Sequence, residues 1–133
     1  MIVAIADTHA TVWYLFSDAR LGKAASAFIE DTTLKGDHIG VSAITIVEMV
    51  YLIEKGRIAP TALDDLCVAI ADPKAVLRYV ALDEEIALKM GDIPRQDIPD
   101  LPDRIIAATA LFYGVPVLSR DDQIRSSSIK AIW

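Results

Sequence analysis

Apolar runs of strand length alternate with stretches of helical periodicity along this chain. Ile2–Ala6 (IVAIA) is continuously apolar and rich in β-branched residues, which predicts a buried strand. Thr8–Phe16 follows as a short helix. Leu21–Leu34 is a second, with Ala24, Ala25, Phe28 and Ile29 as its apolar stripe. HIGVS (38–42) predicts a short strand, and Ser42 is a good N-cap for a helix over Ala43–Lys55. Gly56 closes that helix where a left-handed residue is wanted. Ile44, Thr45, Ile46 and Val47 are β-branched and favour a strand instead, but length and the two end signals decide for helix.

Pro60 precedes a helix over Thr61–Ala71, which Asp72-Pro73 stops. AVLRYVAL (75–82) is a strand, and Asp83 caps a helix over Glu84–Met90. DIPRQDIPDLPD, with three prolines, is a loop running into a helix over Arg104–Tyr113 that Gly114 closes. VPVLS (115–119) is a buried strand, and a short turn leads to a last strand, Ile129–Trp133. Strands alternating with helices predict a single α/β domain over residues 1–133, built on a mostly parallel sheet.

Composition narrows the class. With 133 residues, 53% of them hydrophobic, the chain is long enough to bury a core, and disorder is excluded. The one cysteine, Cys67, permits no internal disulfide and reads as a small core residue. No basic leader precedes the first apolar run, and no run approaches the ~18 residues needed to span a bilayer. A soluble, cytoplasmic protein is the expectation, since a single cysteine fits a reducing compartment. The net charge of −6 argues against gripping nucleic acid by bulk electrostatics. Residues 1–93 hold 8 basic and 14 acidic side chains, while residues 94–133 hold 5 of each.

Four carboxylates stand in unusual positions. Asp7 ends the first strand, and Asp121 follows the strand of VPVLSRD in the same way. In open α/β sheets the ligand crevice lies at the carboxyl ends of the strands, so these two would meet there if their strands are neighbours. Each also has a plain role as a helix cap. Glu48 sits in SAITIVEMVYLIE with Ile44, Tyr51 and Leu52 beside it at helical spacing. An ionised carboxylate in that company needs either a basic partner or a metal. Asp103 opens the helix of LPDRIIAATALFYG, whose Ala107, Ala108 and Ala110 allow close packing on the sheet. Four carboxylates without a cation would repel one another and bind protons more tightly. A hard divalent ion, Mg²⁺ or Mn²⁺, relieves that, and the chemistry it supports is phosphodiester hydrolysis.

In order and spacing, IADTHATVWYL, SAITIVEMVYLIEKG, LPDRIIAATALFYGVPVLSRDDQIR and the ending IKAIW resemble the PIN-domain nucleases, and among them the VapC-type toxins of toxin–antitoxin pairs. The resemblance covers essentially the whole chain. It implies a PIN fold, a twisted parallel sheet flanked by helices with an acidic site at one edge, and a Mg²⁺- or Mn²⁺-dependent ribonuclease. By position, the family's acidic quartet falls on Asp7, Glu48, Asp103 and Asp121. Ser119 matches a family Ser/Thr that positions a carboxylate or metal-bound water, and Arg104 is placed to meet phosphate or to orient the cluster. Asp100 is a candidate for the outer metal shell. Asp122 competes with Asp121 for the metal, and strand register favours Asp121. The family further implies a homodimer and a cognate antitoxin.

Other readings fit less well. A receiver domain wants paired acids after its first strand and a lysine later, and this chain has Ala6-Asp7-Thr8 and Arg120. A haloacid-dehalogenase-type phosphatase wants Asp-x-Asp where this chain has Asp-Thr-His. His9 and His38 have no partner at zinc-ligand spacing. Two alternatives stay open within the family: an RNA-processing nuclease that is not a toxin, and a binding module that does not cut. Finally, the helices over 21–34 and 43–53, with Trp13, Tyr14 and Tyr51 nearby, carry more apolar surface than a small domain buries, which predicts a protein interface.

Overall fold

The computed structural model describes all 133 residues. Its elements in chain order are β1 (Ile2–Ala6), α1 (Thr8–Leu15), α2 (Lys23–Leu34), β2 (His38–Ser42), α3 (Ala43–Glu54), α4 (Thr61–Ala71) and β3 (Leu77–Val80). There follow α5 (Glu84–Lys89), a 3₁₀ turn (Met90–Asp92), α6 (Leu101–Tyr113), β4 (Val117–Leu118), α7 (Asp122–Ser126) and β5 (Ala131–Ile132). The five strands form one sheet in the order β3-β2-β1-β4-β5, and every pairing is parallel. β1 is the central strand, so the chain lays β2 and β3 on one side of it and β4 and β5 on the other.

The period-2 alternation of strand side chains divides the core into two layers. Ala4 and Ala6 of β1, with Ile39, Val41, Leu77 and Leu118, pack against Trp13, Ile29, Met49 and Leu66 from α1–α4. Ile5, Val80 and Val117 face the opposite way, onto Ile86 of α5, Ile106–Ala108 of α6 and Ile124 of α7. Both sheet faces are therefore covered, which is why the strands read as continuous apolar runs. Gly40 in β2 is a packing requirement, since a Cβ there would lie 2.7 Å from Ile5 Cδ1.

Local signals explain most boundaries. Ser42 Oγ accepts from the Ile44 amide at 3.2 Å, so the β-branched ITIV stretch is helical, as capping and length required. Gly114 takes φ +66° and closes α6.

Several expectations need correction. α6 begins at Leu101, not Arg104, because Asp100 accepts from the Asp103 amide and Pro102 is tolerated in a first turn. Asp103 thus stands inside that turn and does not begin the helix. The turn expected after VPVLS contains a helix, α7, because Asp121 accepts from the Gln123 and Ile124 amides at 3.0 and 3.1 Å. Three strands are shorter than their apolar runs: Val117–Leu118 within 115–119, Ala131–Ile132 within 129–133 and Leu77–Val80 within 75–82. Pro116 at the start of β4 has no amide to give a ladder. Cys67 is exposed on α4 and is no core residue. Trp13, expected beside an exposed patch, is 5% exposed.

The close seat of α6 on the sheet depends on small side chains, since Ala107, Ala108 and Ala110 are completely buried. Ala108→Leu should therefore lower unfolding stability by roughly 1–3 kcal/mol through overpacking. Urea denaturation measures this, and an unchanged midpoint would mean that α6 has room the packing does not show.

Candidate active site

The site begins with the pairing of β1 and β4. The Asp7 amide donates to the Leu118 carbonyl at 3.1 Å, which fixes the end of β1 beside the end of β4. These are adjacent parallel strands at the point where strand order reverses, the position where α/β sheets open a crevice. The Asp7 side chain is buried, and its Oδ1 accepts from the Ala10 amide at 2.8 Å. Asp7 is therefore both the N-cap of α1 and a member of the crevice.

Ser119 ties the two strand ends together. Its hydroxyl accepts from the Asp121 amide at 3.0 Å and is close enough to the Asp7 carboxylate to favour its ionised form. Burial nevertheless raises the pKa of Asp7. The Ser119, Ala10 and His9 contacts oppose that shift, and the Asp121 charge adds to it.

Glu48 reaches the same place from α3. Thr8 Oγ1 donates to Glu48 Oε1 at 2.5 Å and lies 3.3 Å from Thr45 Oγ1. Because the Thr8 proton goes to Glu48, Thr45 must be the donor of the second contact. This fixes the half-buried Glu48 through two threonines that the sequence reading passed over. The available signals were Thr8 directly after Asp7 and Thr45 one helical turn before Glu48. Burial raises the pKa of Glu48 most, with further contributions from Asp100 and Asp7. The arginine partner that was its alternative is absent. The ion pairs of the molecule are Met1–Asp37, Arg20–Asp18, Lys35–Asp31 and Lys89–Asp92, none of them in the crevice.

Asp103, in the first turn of α6, is pushed up to about 7 by burial first and then by Asp100, Asp121 and Glu48. Asp7, Glu48, Asp100, Asp103 and Asp121 thus form one electrostatic neighbourhood contributed by four elements. Two supporting candidates lie elsewhere. Arg104 Nη2 donates to the carbonyls of Met90 and Ile93 at 2.9 and 3.1 Å, so its guanidinium braces the 3₁₀ turn against α6. Asp122 is exposed in the first turn of α7, while Asp121 is half-buried and faces its neighbours.

The donor set is entirely carboxylate and hydroxyl oxygen, which suits a hard divalent cation. No three His, Cys, Asp or Glu side chains are grouped so that they alone could hold an ion. A Mg²⁺ site does not need one, because it takes one or two carboxylates and completes its shell with water and phosphate. The buried Asp7 and half-buried Glu48 and Asp103, with raised proton affinity and no basic partner, fit such an ion.

The PIN domain family matches residues 4–129. Ribonuclease VapC22 of Mycobacterium tuberculosis is 28% identical over 130 residues, spanning 95% of this chain and 92% of its own. VapBC2 from Rickettsia felis, solved bound to a DNA fragment from its promoter, superposes with a TM-score of 0.71 at 13% identity, covering 98% of this chain and 97% of that one. A toxin–antitoxin complex from Klebsiella pneumoniae gives a TM-score of 0.63 at 23% identity, covering 92% and 91%. These solved structures share the fold.

The shifts have a thermodynamic consequence. A carboxyl that holds its proton more tightly when folded than when unfolded makes stability fall as pH rises between the two pKa values. For Asp103 that window runs from about 4 to about 7. Asp7 and Glu48 act in the same direction. In EDTA, the melting temperature should decline as pH rises across this window, and Asp103→Asn should reduce the decline and raise the melting temperature above pH ~7. A melting temperature that rises across the window, or one that Asp103→Asn leaves untouched, contradicts the electrostatic account.

Proposed function

The chain belongs to the PIN-domain family, and from that premise we propose that it is a metal-dependent endoribonuclease, the toxin of a toxin–antitoxin pair. The observation that carries this reading is the group of half-buried carboxylates, none with a basic partner, around the buried Asp7 at the strand-order switch. The similarity to Ribonuclease VapC22 over nearly the whole of both chains supports the activity.

Asp7, Glu48, Asp103 and Asp121 would hold Mg²⁺ or Mn²⁺, with Asp7 central because it is the most buried of the four. When bound, the ion acidifies a water and neutralises charge on the phosphate. Ser119 sets the spacing between Asp7 and Asp121. Thr8 orients Glu48 so that one oxygen is hydrogen-bonded and the other is free for ion or water. Asp100 caps α6 and adds negative potential from the outer rim. The amide ends of α1, α6 and α7 point into the same crevice, and their partial positive charge favours the ionised carboxylates.

Toxin–antitoxin complexes among the structural relatives support a cognate antitoxin as partner. Exposed Val47, Val50 and Tyr51 on α3, with Leu101 at the start of α6, support a homodimer through that face. No helix is long and apolar enough to cross a membrane.

Cleavage of single-stranded RNA with Mg²⁺ or Mn²⁺ tests the activity. The wild type should cut and EDTA should stop it. Asp7→Asn should reduce the rate by about 10²-fold or more without loss of stability, since asparagine is an equally good N-cap. Metal-independent cutting, or full activity in Asp7→Asn, defeats the assignment. Induced expression should arrest growth only with Asp7 intact.

Thr8→Val keeps the shape of Thr8 but removes the donor to Glu48. Calorimetry with Mn²⁺ should show affinity reduced by about 10- to 100-fold. Unchanged affinity would mean that Glu48 needs no orienting partner.

A further inference from the structure

Beside the acidic crevice lies a cleft of about 500 Å³ between α1 and the α3–α4 connection, lined by His9, Trp13, Arg20, Arg57 and Arg120 among others. Three of the chain's 13 lysines and arginines therefore meet in one cleft of a protein with net charge −6. One carboxylate, Asp18, lines it too and is already paired with Arg20 at 2.8 Å. Arg57 and Arg120 have no carboxylate partner, and both are exposed.

Two of the three guanidinium groups are held in place. Arg20 and Arg120 stand 4.9 and 4.6 Å from the Trp13 ring centroid. Trp13 is itself fixed by burial and by the edge of Trp133, 5.7 Å away. A guanidinium stacked on a buried indole keeps its charge and its in-plane donors while losing conformational freedom beforehand. Such groups bind phosphate at a smaller entropic cost than free surface arginines.

The cleft and the crevice share a border. His9 follows Asp7 by two residues and acts electrostatically on both Asp7 and Glu48. Arg120 lies between Ser119 and Asp121, and Leu52, one turn beyond Glu48, lines the cleft wall. A chain whose phosphate sits at the carboxylates therefore has its neighbouring phosphates within reach of these cations. For a polyanion, these cations offset the negative potential of the carboxylates around the reacting bond.

We propose that this cleft is a subsite for the RNA backbone flanking the scissile bond, with Arg57 and Arg120 as phosphate ligands and Trp13 as the platform that holds Arg120 and Arg20. This rests on the ribonuclease reading. Because Trp13 is buried and covered by guanidinium groups, the cleft binds backbone and not bases, so its contribution is the same for every RNA sequence.

The test is fluorescence anisotropy with a labelled single-stranded RNA of about a dozen nucleotides in EDTA, over a range of salt, beside steady-state cleavage in Mn²⁺. Arg57→Gln and Arg120→Gln should each weaken binding about tenfold on RNAs of differing sequence. Each should reduce the slope of log affinity against log salt by about 0.7. In cleavage, KM should rise and kcat should hold. Lys35→Gln, outside the cleft and paired with Asp31, should change nothing. Wild-type slopes in the arginine variants, an equal effect of Lys35→Gln, or a fall in kcat with KM unchanged overturns the subsite. So does a labelled oligoglutamate peptide that binds as tightly as RNA through the same arginines, which would mark the cleft as a seat for an acidic protein segment. If the wild type cleaves and the arginine variants keep their slopes, only the subsite fails. If the wild type binds RNA through the arginines and cuts none with either metal, only the nuclease reading fails.

Discussion

The structure depends on β1 being paired on both sides. Its amides and carbonyls join β2 on one edge and β4 on the other, and the last of these bonds runs from the Asp7 amide to the Leu118 carbonyl. That bond brings Asp7 and Asp121 together, although 113 residues separate them in sequence. Both faces of β1 are buried, so a slip of one residue would exchange Ala4 and Ala6 with Ile5 between two differently filled layers. The register that satisfies the core is therefore the register that assembles the crevice.

Capping and site membership are not competing explanations of these acids. Asp7, Asp100 and Asp121 each accept amide hydrogens at a helix N-terminus, and each also contributes to the potential felt by its neighbours. Gathering like charges in a half-dry crevice is unfavourable, and the helix amides offset part of that cost. They do not remove it, as the raised pKa values of Asp7, Glu48 and Asp103 indicate. The remaining repulsion makes a cation welcome. A group fully compensated by protein donors would bind none.

Legibility in the sequence followed the range of the interactions. Asp7 and Asp121 were visible because strand, terminal acid and helix are consecutive, and Glu48 because a charge interrupts an apolar helix. The α/β class and its parallel sheet followed from simple alternation. The start of α6 was misread because Asp100 and Asp103 are both competent caps, and only the first-turn tolerance of Pro102 separates them. α7 was missed because five residues carry too little periodicity. The bracing bonds of Arg104 go to main-chain carbonyls 11 and 14 residues away, which side-chain types do not disclose. Cys67 and Trp13 exchanged their expected places for the same reason: burial is decided by neighbours distant in sequence.

An acidic protein that acts on a polyanion faces a contradiction in its long-range field, which at net −6 opposes approach. The fold separates the two requirements in space. The carboxylates occupy the crevice, and Arg20 and Arg120 stand on the adjoining ring of Trp13. Interleaving them would have produced internal salt bridges, as Arg20 and Asp18 already form, and would have silenced both. Keeping Arg57 and Arg120 unpaired beside the crevice requires that no carboxylate turn toward them. The capping bonds supply that restraint, because an aspartate committed to helix amides is not free to reach a neighbouring guanidinium.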